Sequence, residues 1–325
     1  MSKALSIVFL LVASSVVSSP LRAEATTGVK RVAVLSQDDA RLSRFQDSLH
    51  ETFRELGYVE GKNIAFEYRF AAGSGEDLQS VAGALAHSGV DLIFALGTPS
   101  ALAMSGASST IPIVFVAADP VETGLVASLA RPGGNTTGVT TLAAETGTKR
   151  LELLREVLPH AIKIAVLANP NNPATALQLK ELESTAGKVG FKLRVFKVRR
   201  SQDLDDAFSA IRKQRLDAFV TVPDSMLNGN MDTVARLALK NRLPGISGHR
   251  MFAESGGLIS YGSDYRELWR RCAVYADKIF KGAKPAELPV EQAAMFELVI
   301  NLKTASAIGV AIPQSFLLRA NAVIQ

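Results

Sequence analysis

Apolar positions along the chain follow two alternating periods. Residues 31–35 form a short apolar run that predicts a strand. Leu42, Phe45, Leu49, Phe53 and Leu56 then recur three or four residues apart, as on one face of a helix. Gly57 ends that helix, where a left-handed residue commonly closes one. Ile64, Phe66, Tyr68 and Phe70 alternate with Glu67 and Arg69, which is strand period, and Leu78, Val81 and Leu85 return to helix period. Residues 91–97 and 111–117 are continuous apolar runs of the kind that suits strands covered on both faces of a parallel sheet.

A second series begins near Thr146. Leu151, Leu154 and Leu158 mark a helix stopped by Pro159, and residues 164–168 read as a strand. Leu179, Leu182, Ala186 and Val189 mark a helix closed by Gly190. Strands at 193–198, 218–222, 245–247 and 257–261 follow, with helices between them. A helix over 265–281 ends at Gly282, residues 296–301 give a last strand, and Pro313 opens a terminal helix. Two successive strand–helix series imply an α/β fold of two Rossmann-like lobes, each a parallel sheet covered by helices, around a hinge and an interlobe cleft. The connections at 138–142 and 260–264 are the expected crossovers. The expected division is 28–142 plus 264–325 for the first lobe and 143–263 for the second.

The N-terminus changes the cellular picture. Lys3, an apolar run over 4–17 and the small-x-small triplet Ala23-Glu24-Ala25 have the layout of a cleaved secretory signal, here assigned to 1–25. The apolar run is shorter than the ~20 residues a spanning helix needs. No cysteine lies near the cleavage triplet, so export to the periplasm without a lipid anchor is expected. The single cysteine, Cys272, forms no internal disulfide and no Cys-rich zinc site, and Leu268, Ala276 and Ile279 around it read as helical core. Hydrophobic residues at 47 % and charged residues at 21 % are an ordinary globular balance. The net charge of +5 is scattered, apart from Lys192, Arg194, Lys197, Arg199 and Arg200, which read as a solvated strand face and turn. A nucleic-acid surface would add a recognition motif, and none is found.

Candidate chemistry follows from the strand ends, because open parallel sheets bind ligands outside the carboxyl ends of their strands. In the first lobe those ends carry Ser36-Gln37-Asp38-Asp39, Gly97-Thr98-Pro99-Ser100 and Ala118-Asp119-Pro120. In the second they carry Asn169-Pro170-Asn171-Asn172-Pro173, Pro223-Asp224-Ser225 and Ser247-Gly248-His249. Ser36, Gln37, Thr98, Pro99, Ser100, Asp119, Asn169, Asn172, Asp224 and Ser247 are therefore the candidate ligand contacts, polar groups suited to a small polar solute. Two roles stay open for several of them. Thr98-Pro99 and Asp119-Pro120 also fit helix caps, the asparagines also fit turns, and Asp224 fits either a cap or the partner of a ligand ammonium.

Enzyme signatures are missing. There is no phosphate-binding G-x-x-x-x-G-K-[ST] loop, Gly73-Ser74-Gly75 lacks the third glycine of a dinucleotide fingerprint, and Gly245-Ile246-Ser247-Gly248 is not a nucleophile elbow. His50, His87, His160 and His249 have no metal-ligand spacing; His249 alone sits in a strand-end loop. No metal, cofactor or catalytic residue is expected.

Several runs resemble a known family. They are Glu55-Leu56-Gly57-Tyr58-Val59-Glu60-Gly61-Lys62-Asn63, Gly97-Thr98-Pro99, Asp119-Pro120-Val121, Arg131-Pro132-Gly133-Gly134-Asn135 and Asn169-Pro170-Asn171-Asn172-Pro173. Near the C-terminus, Gly282-Ala283-Lys284-Pro285, Leu288-Pro289-Val290-Glu291-Gln292 and Phe296-Glu297-Leu298-Val299-Ile300-Asn301-Leu302-Lys303-Thr304 are the most specific. Together they resemble the substrate-binding proteins of ABC importers, in the family that includes tryptophan- and tyrosine-binding members. The resemblance implies a type I periplasmic-binding-protein fold whose lobes close on a small solute by population shift. It also implies a monomer that delivers the solute to an inner-membrane permease with its own ATPase. An amino acid is the implied solute, although the loop Ser36-Gln37-Asp38-Asp39 departs from the pattern of the aromatic-binding members. The competing reading is a ligand-sensing regulatory module of the same fold. Such a module would carry an N-terminal helix-turn-helix in place of an export signal.

Overall fold

The computed structural model describes residues 28–37, 43–71 and 77–325. The expected export segment and the Asp38-Asp39 pair lie outside the described residues. The first series supplies strands β1 (Lys30–Ser36), β2 (Ile64–Phe70), β3 (Leu92–Leu96), β4 (Ile113–Ala117) and β5 (Thr136–Thr140). The second supplies β6 (Lys163–Ala168), β7 (Lys192–Lys197), β8 (Ala218–Thr221), β9 (Gly245–Ser247) and β10 (Ile259–Ser263). Three further strands follow, β11 (Glu291–Gln292), β12 (Phe296–Asn301) and β13 (Ala322–Ile324). The helices are α1 (Ser43–Glu55), α2 (Leu78–Ala86), α3 (Thr98–Ala107), α4 (Ala143–Val157), α5 (Thr175–Lys188) and α6 (Asp203–Lys213). They continue with α7 (Ser225–Asn228), α8 (Met231–Lys240), α9 (Arg250–Glu254), α10 (Tyr265–Phe280), α11 (Leu302–Ile308) and α12 (Gln314–Leu317).

Among the described residues these strands form a six-stranded sheet, β11-β5-β4-β3-β1-β2, and a seven-stranded sheet, β13-β12-β10-β9-β8-β6-β7. The apolar runs explain the central strands. Every residue of β3 and β4 is buried, because helices cover both faces of the first sheet. Leu49, Phe53, Trp269 and Cys272 pack on one face, and Val81, Leu85 and Met104 on the other. The second sheet is sandwiched in the same way, by Leu151, Leu154 and Leu182 on one side and by Phe208, Leu227 and Val234 on the other. Each fully buried large apolar side chain contributes on the order of 1.5–3 kcal/mol. The basic cluster falls on β7, an edge strand whose Lys192, Arg194 and Lys197 are exposed, and charged edges of this kind discourage strand addition.

The fold is the expected α/β pair of parallel-dominated sheets, but the C-terminal part follows another path. After β10 the chain crosses back, and α10 packs on α1 and β4 of the first sheet. β11 then extends that sheet beside β5. Assigning all of 264–325 to the first lobe is corrected at this point. A third crossing at 293–295 returns the chain to the second sheet, where β12 pairs with β10 and β13 with β12. β12 arrives from the opposite lobe without a covering helix between, so it runs antiparallel to β10, the one antiparallel pairing among the described strands. Its apolar residues Leu298, Val299 and Ile300 are buried there.

The three crossings are tied to one another. Ala293 N–H donates to Thr140 O at 2.9 Å, Asp264 N–H to Met295 O at 2.9 Å, and the Ser263 hydroxyl to Thr141 O at 2.7 Å. These bonds bind the two sheets into one frame at the edge of the cleft.

Candidate functional site

The carboxyl ends of β3 and β4 in the first sheet face those of β6, β8 and β9 in the second. Between them lies a cavity with about 60 Å³ open to the centre of a water molecule, well above the ~10–15 Å³ that one water needs. Its first wall is mostly apolar: Leu96, Val116, Ala117 and Ala118 from the strand ends, with Tyr265 and Trp269 from the first turns of α10. Its second wall is polar, formed by Asn172, Asp224, Ser225, Asn228 and His249. A larger groove of about 480 Å³, lined by His50, Glu60, Ile64 and Phe66, lies at the opposite, amino-terminal end of β2. That end of a parallel sheet is not where such folds place ligands.

Asp224 is the centre of the polar wall. It is buried and caps the short helix α7, accepting Leu227 N–H at 3.2 Å. Asn169 Nδ2 donates to one carboxylate oxygen at 3.1 Å and Asn172 Nδ2 to the other at 3.0 Å. Burial pushes the carboxyl above its ordinary range, and the donors from Asn169, Asn172, Leu227 and Met226 pull it back without cancelling the shift. A cation arriving in the cavity would complete the compensation and favour the ionised form.

His249 lies beside this centre. Burial lowers its pKa to about 4, so the ring is neutral near pH 7. Its Nδ1 accepts Met251 N–H at 3.2 Å, and its ring lies 4.6 Å from that of Tyr265. The lobes also approach each other on the cavity rim. Asn228 Nδ2 is 3.4 Å from the Tyr265 hydroxyl. Gly97, at φ +80, faces Ser225 so closely that an added Cβ would lie 2.1 Å from Ser225 Oγ.

Of the residues expected from the strand ends, Thr98, Asn172 and Asp224 line the cavity. Asn169 stands one layer behind and orients Asp224. Ser247 also stands behind: its oxygen accepts the Thr221 hydroxyl at 2.9 Å and His249 N–H at 3.3 Å. Ser36 is buried at the end of β1, and Gln37 follows it with Oε1 buried and no partner. Pro99 and Ser100 lie in the first turn of α3, where Ser100 Oγ is buried without a partner. Asp119 follows Ala118 but does not reach the wall.

The expected caps also differ. Gly97, not Thr98, is the N-cap of α3. The Thr98 hydroxyl instead donates to Ala118 O at 3.0 Å and accepts Ala118 N–H at 3.1 Å, which locks the two strand-end loops together. The Asp119 side chain makes no cap. Its backbone is left-handed at φ +48, its Oδ2 is buried without a partner, and burial together with Glu145, Glu122 and Glu181 raises its pKa to about 6. Tyr265, Trp269 and Asn228 are wall residues that the strand-end reading missed. Tyr265 and Trp269 occupy the first turns after the second crossing, and Asn228 lies one helical turn beyond Asp224. Among the described residues no His, Cys, Asp and Glu cluster could hold a metal ion, and no helix is long and apolar enough to cross a membrane.

Comparison with known proteins identifies the family. The family model for ABC transporter substrate binding proteins matches residues 30–324. A tyrosine-binding protein of Clostridioides difficile is 30% identical over 268 residues, covering 82% of this chain and 77% of the relative. A domain from Streptococcus pneumonia solved in complex with L-Trp superposes with a TM-score of 0.84 at 24% identity, over 91% of this chain and 100% of the other. A ligand-free, open substrate-binding protein with adhesive properties from Clostridium difficile gives 0.64 at 27% identity, over 91% and 99%. The fold is that of the type I periplasmic binding proteins.

Proposed function

Since the chain belongs to the ABC transporter substrate-binding protein family, a family of binding proteins and not of enzymes, we propose that it captures a small amine-bearing solute, an amino acid, between its lobes. The observation that carries this reading is Asp224: a buried carboxylate on the cavity wall, opposite Tyr265 and Trp269. A carboxylate held by three donors is positioned to accept a ligand ammonium, and the aromatic pair gives an apolar surface for the rest of the solute. The tyrosine-binding relative supports an amino acid as the class. Alongside Asp224, Thr98 and Asn172 line the site, while Asn169 and Ser247 hold the wall residues in place. Ser36, Gln37, Pro99, Ser100 and Asp119 support the first-lobe loops.

In this reading the protein works outside the cytoplasm, after removal of residues 1–25, as a monomer. It hands its solute to a membrane permease whose ATPase supplies the energy. Native mass spectrometry of purified protein, followed by titration calorimetry with L-tyrosine and with 3-(4-hydroxyphenyl)propionic acid, which lacks the amine, tests the site. D224N is expected to cost about 2–5 kcal/mol of affinity for the amine-bearing compound. Equal binding of the two compounds, or an unchanged affinity in D224N, would sink the assignment.

A further inference from the structure

Behind the polar wall lies a charge that the amine site does not use. Arg150, on α4, is 1 % exposed and among the largest fully buried side chains of the molecule. Its Nη1 donates to the Thr146 hydroxyl at 3.3 Å and to Tyr261 O at 3.2 Å, while Nε is buried with no partner. Among the described residues no carboxylate forms an ion pair with it. Burial lowers its pKa to about 10, so the guanidinium stays charged at neutral pH. A buried cation with neutral partners alone is costly, because ions lose several kcal/mol of hydration that only an opposite charge or a full set of hydrogen bonds restores.

The position of this cation ties it to the cleft. A Cβ added at Gly248 would lie 2.9 Å from Arg150 Nη1 and 2.8 Å from Pro223 Cγ. Pro223 and His249, the neighbour of Gly248, both line the cavity, as does Tyr265. The guanidinium is therefore one layer of residues behind the cavity wall. His249, next to Gly248 in the chain and on the wall, is neutral, so it does not cancel the charge. Among the described residues Asp224 is the only acidic wall residue, and it forms no ion pair with Arg150.

We infer that Arg150 is a specificity-determining residue: its uncompensated charge makes the cleft select a solute that carries an anionic group as well as an ammonium. The inference rests on the amine reading of Asp224 and extends it. Ammonium at Asp224 and carboxylate toward the Pro223–Gly248–His249 side give a zwitterion one orientation in the cleft. An amine without the acid would leave the guanidinium uncompensated when the lobes close and exclude water. The field acts through the wall, so Arg150 tunes binding without touching the solute.

The test compares each acid with its decarboxylated amine: L-tyrosine with tyramine, L-tryptophan with tryptamine, L-phenylalanine with phenethylamine and L-leucine with isoamylamine. Affinities are read by calorimetry for wild type, R150M and R150K. Wild type is expected to prefer at least one acid by on the order of a hundredfold, R150M to lose on the order of tenfold of that preference, and R150K to keep most of it. R150M should fold, because an apolar residue in place of an unpaired buried ion is often neutral or stabilising. A purely structural role would change stability and leave the acid-to-amine ratio unmoved, and that result in R150M overturns the inference. Equal wild-type affinities for an acid and its amine also overturn it, while leaving the Asp224 reading intact. Binding of none of the eight compounds removes the amino-acid reading and this inference together. If R150M does not fold, the wild-type ratio and its retention in R150K decide.

Discussion

The two walls of the cleft are built from the same strand-end geometry and do different work. The first-lobe wall offers area: Leu96, Val116, Ala117 and Ala118, backed by Tyr265 and Trp269. The second-lobe wall offers direction: Asp224 with its asparagine donors, Asn228 and His249. Apolar contact tolerates small displacements, whereas a buried carboxylate requires a matched partner. On the proposed reading, the second lobe recognises the solute and the first lobe closes over it. Arg150 adds to this asymmetry, since it too belongs to the second lobe's side of the cavity.

The sharpest way to break the comparison is to keep both walls and stop them meeting. Gly97 has no side chain where Ser225 approaches, and its φ of +80 disfavours any other residue. G97V should hold the lobes apart and lower solute affinity by on the order of a hundredfold or more, since closure then adds none of the first-lobe contacts. Small-angle scattering would show an unchanged radius of gyration on adding solute. A variant that still contracts would show that the rim contact is incidental to closure.

A smaller effect separates area from direction within the first wall. Trp269 is buried, and its ring stands edge-on to Phe94 with centroids 6.5 Å apart. W269F keeps an aromatic face but withdraws part of the surface offered to the solute. Calorimetry is expected to show a loss on the order of tenfold, similar for the acid and the amine of each pair. If the loss instead falls on one charge type, the division of labour between the walls is wrong.

Legibility in the sequence follows the same division. The second wall could be read because Asp224 and Asn172 stand directly after strands, where the carboxyl-end rule looks. Much of the first wall could not. Tyr265 and Trp269 belong to α10, whose apolar spacing at Leu268, Cys272 and Ala276 describes a core helix, and periodicity does not distinguish a residue facing a core from one facing a cavity. The third crossing was hidden for a related reason. Residues 296–301 read correctly as a strand, but a strand's period says nothing about which sheet it joins, and antiparallel pairing of β12 with β10 is decided by contacts between residues distant in the chain, from Ser263 with Phe296 to Ile259 with Ile300. Thr98 was misread as a cap because a Thr-Pro pair satisfies the local rule, while its actual partner, Ala118, lies 20 residues away.

The smallest expected effect sets one buried titrating group of each lobe against the other. Asp119, from the first lobe, has its pKa raised from 3.8 to about 6, so between those values the folded state holds more proton than the unfolded one and stability falls as pH rises. The acidic neighbours Glu122, Glu145 and Glu181 act in the same direction. His249, from the second lobe, has its pKa lowered from 6.5 to about 4, so over that window the unfolded state holds more proton and stability rises with pH. The two slopes oppose each other across nearly the same range, and wild-type melting temperature should change little between pH 4 and 6 on their account. D119N keeps a residue that tolerates the left-handed backbone and removes one slope. Its melting temperature should exceed that of wild type at pH 7, and the difference should vanish near pH 4, where Asp119 is protonated in the folded protein. H249Q should do the reverse, losing the rise in stability that wild type gains from His249 between pH 4 and 6.5. Parallel pH profiles for wild type and both variants would mean that neither group titrates in its folded surroundings as its burial requires.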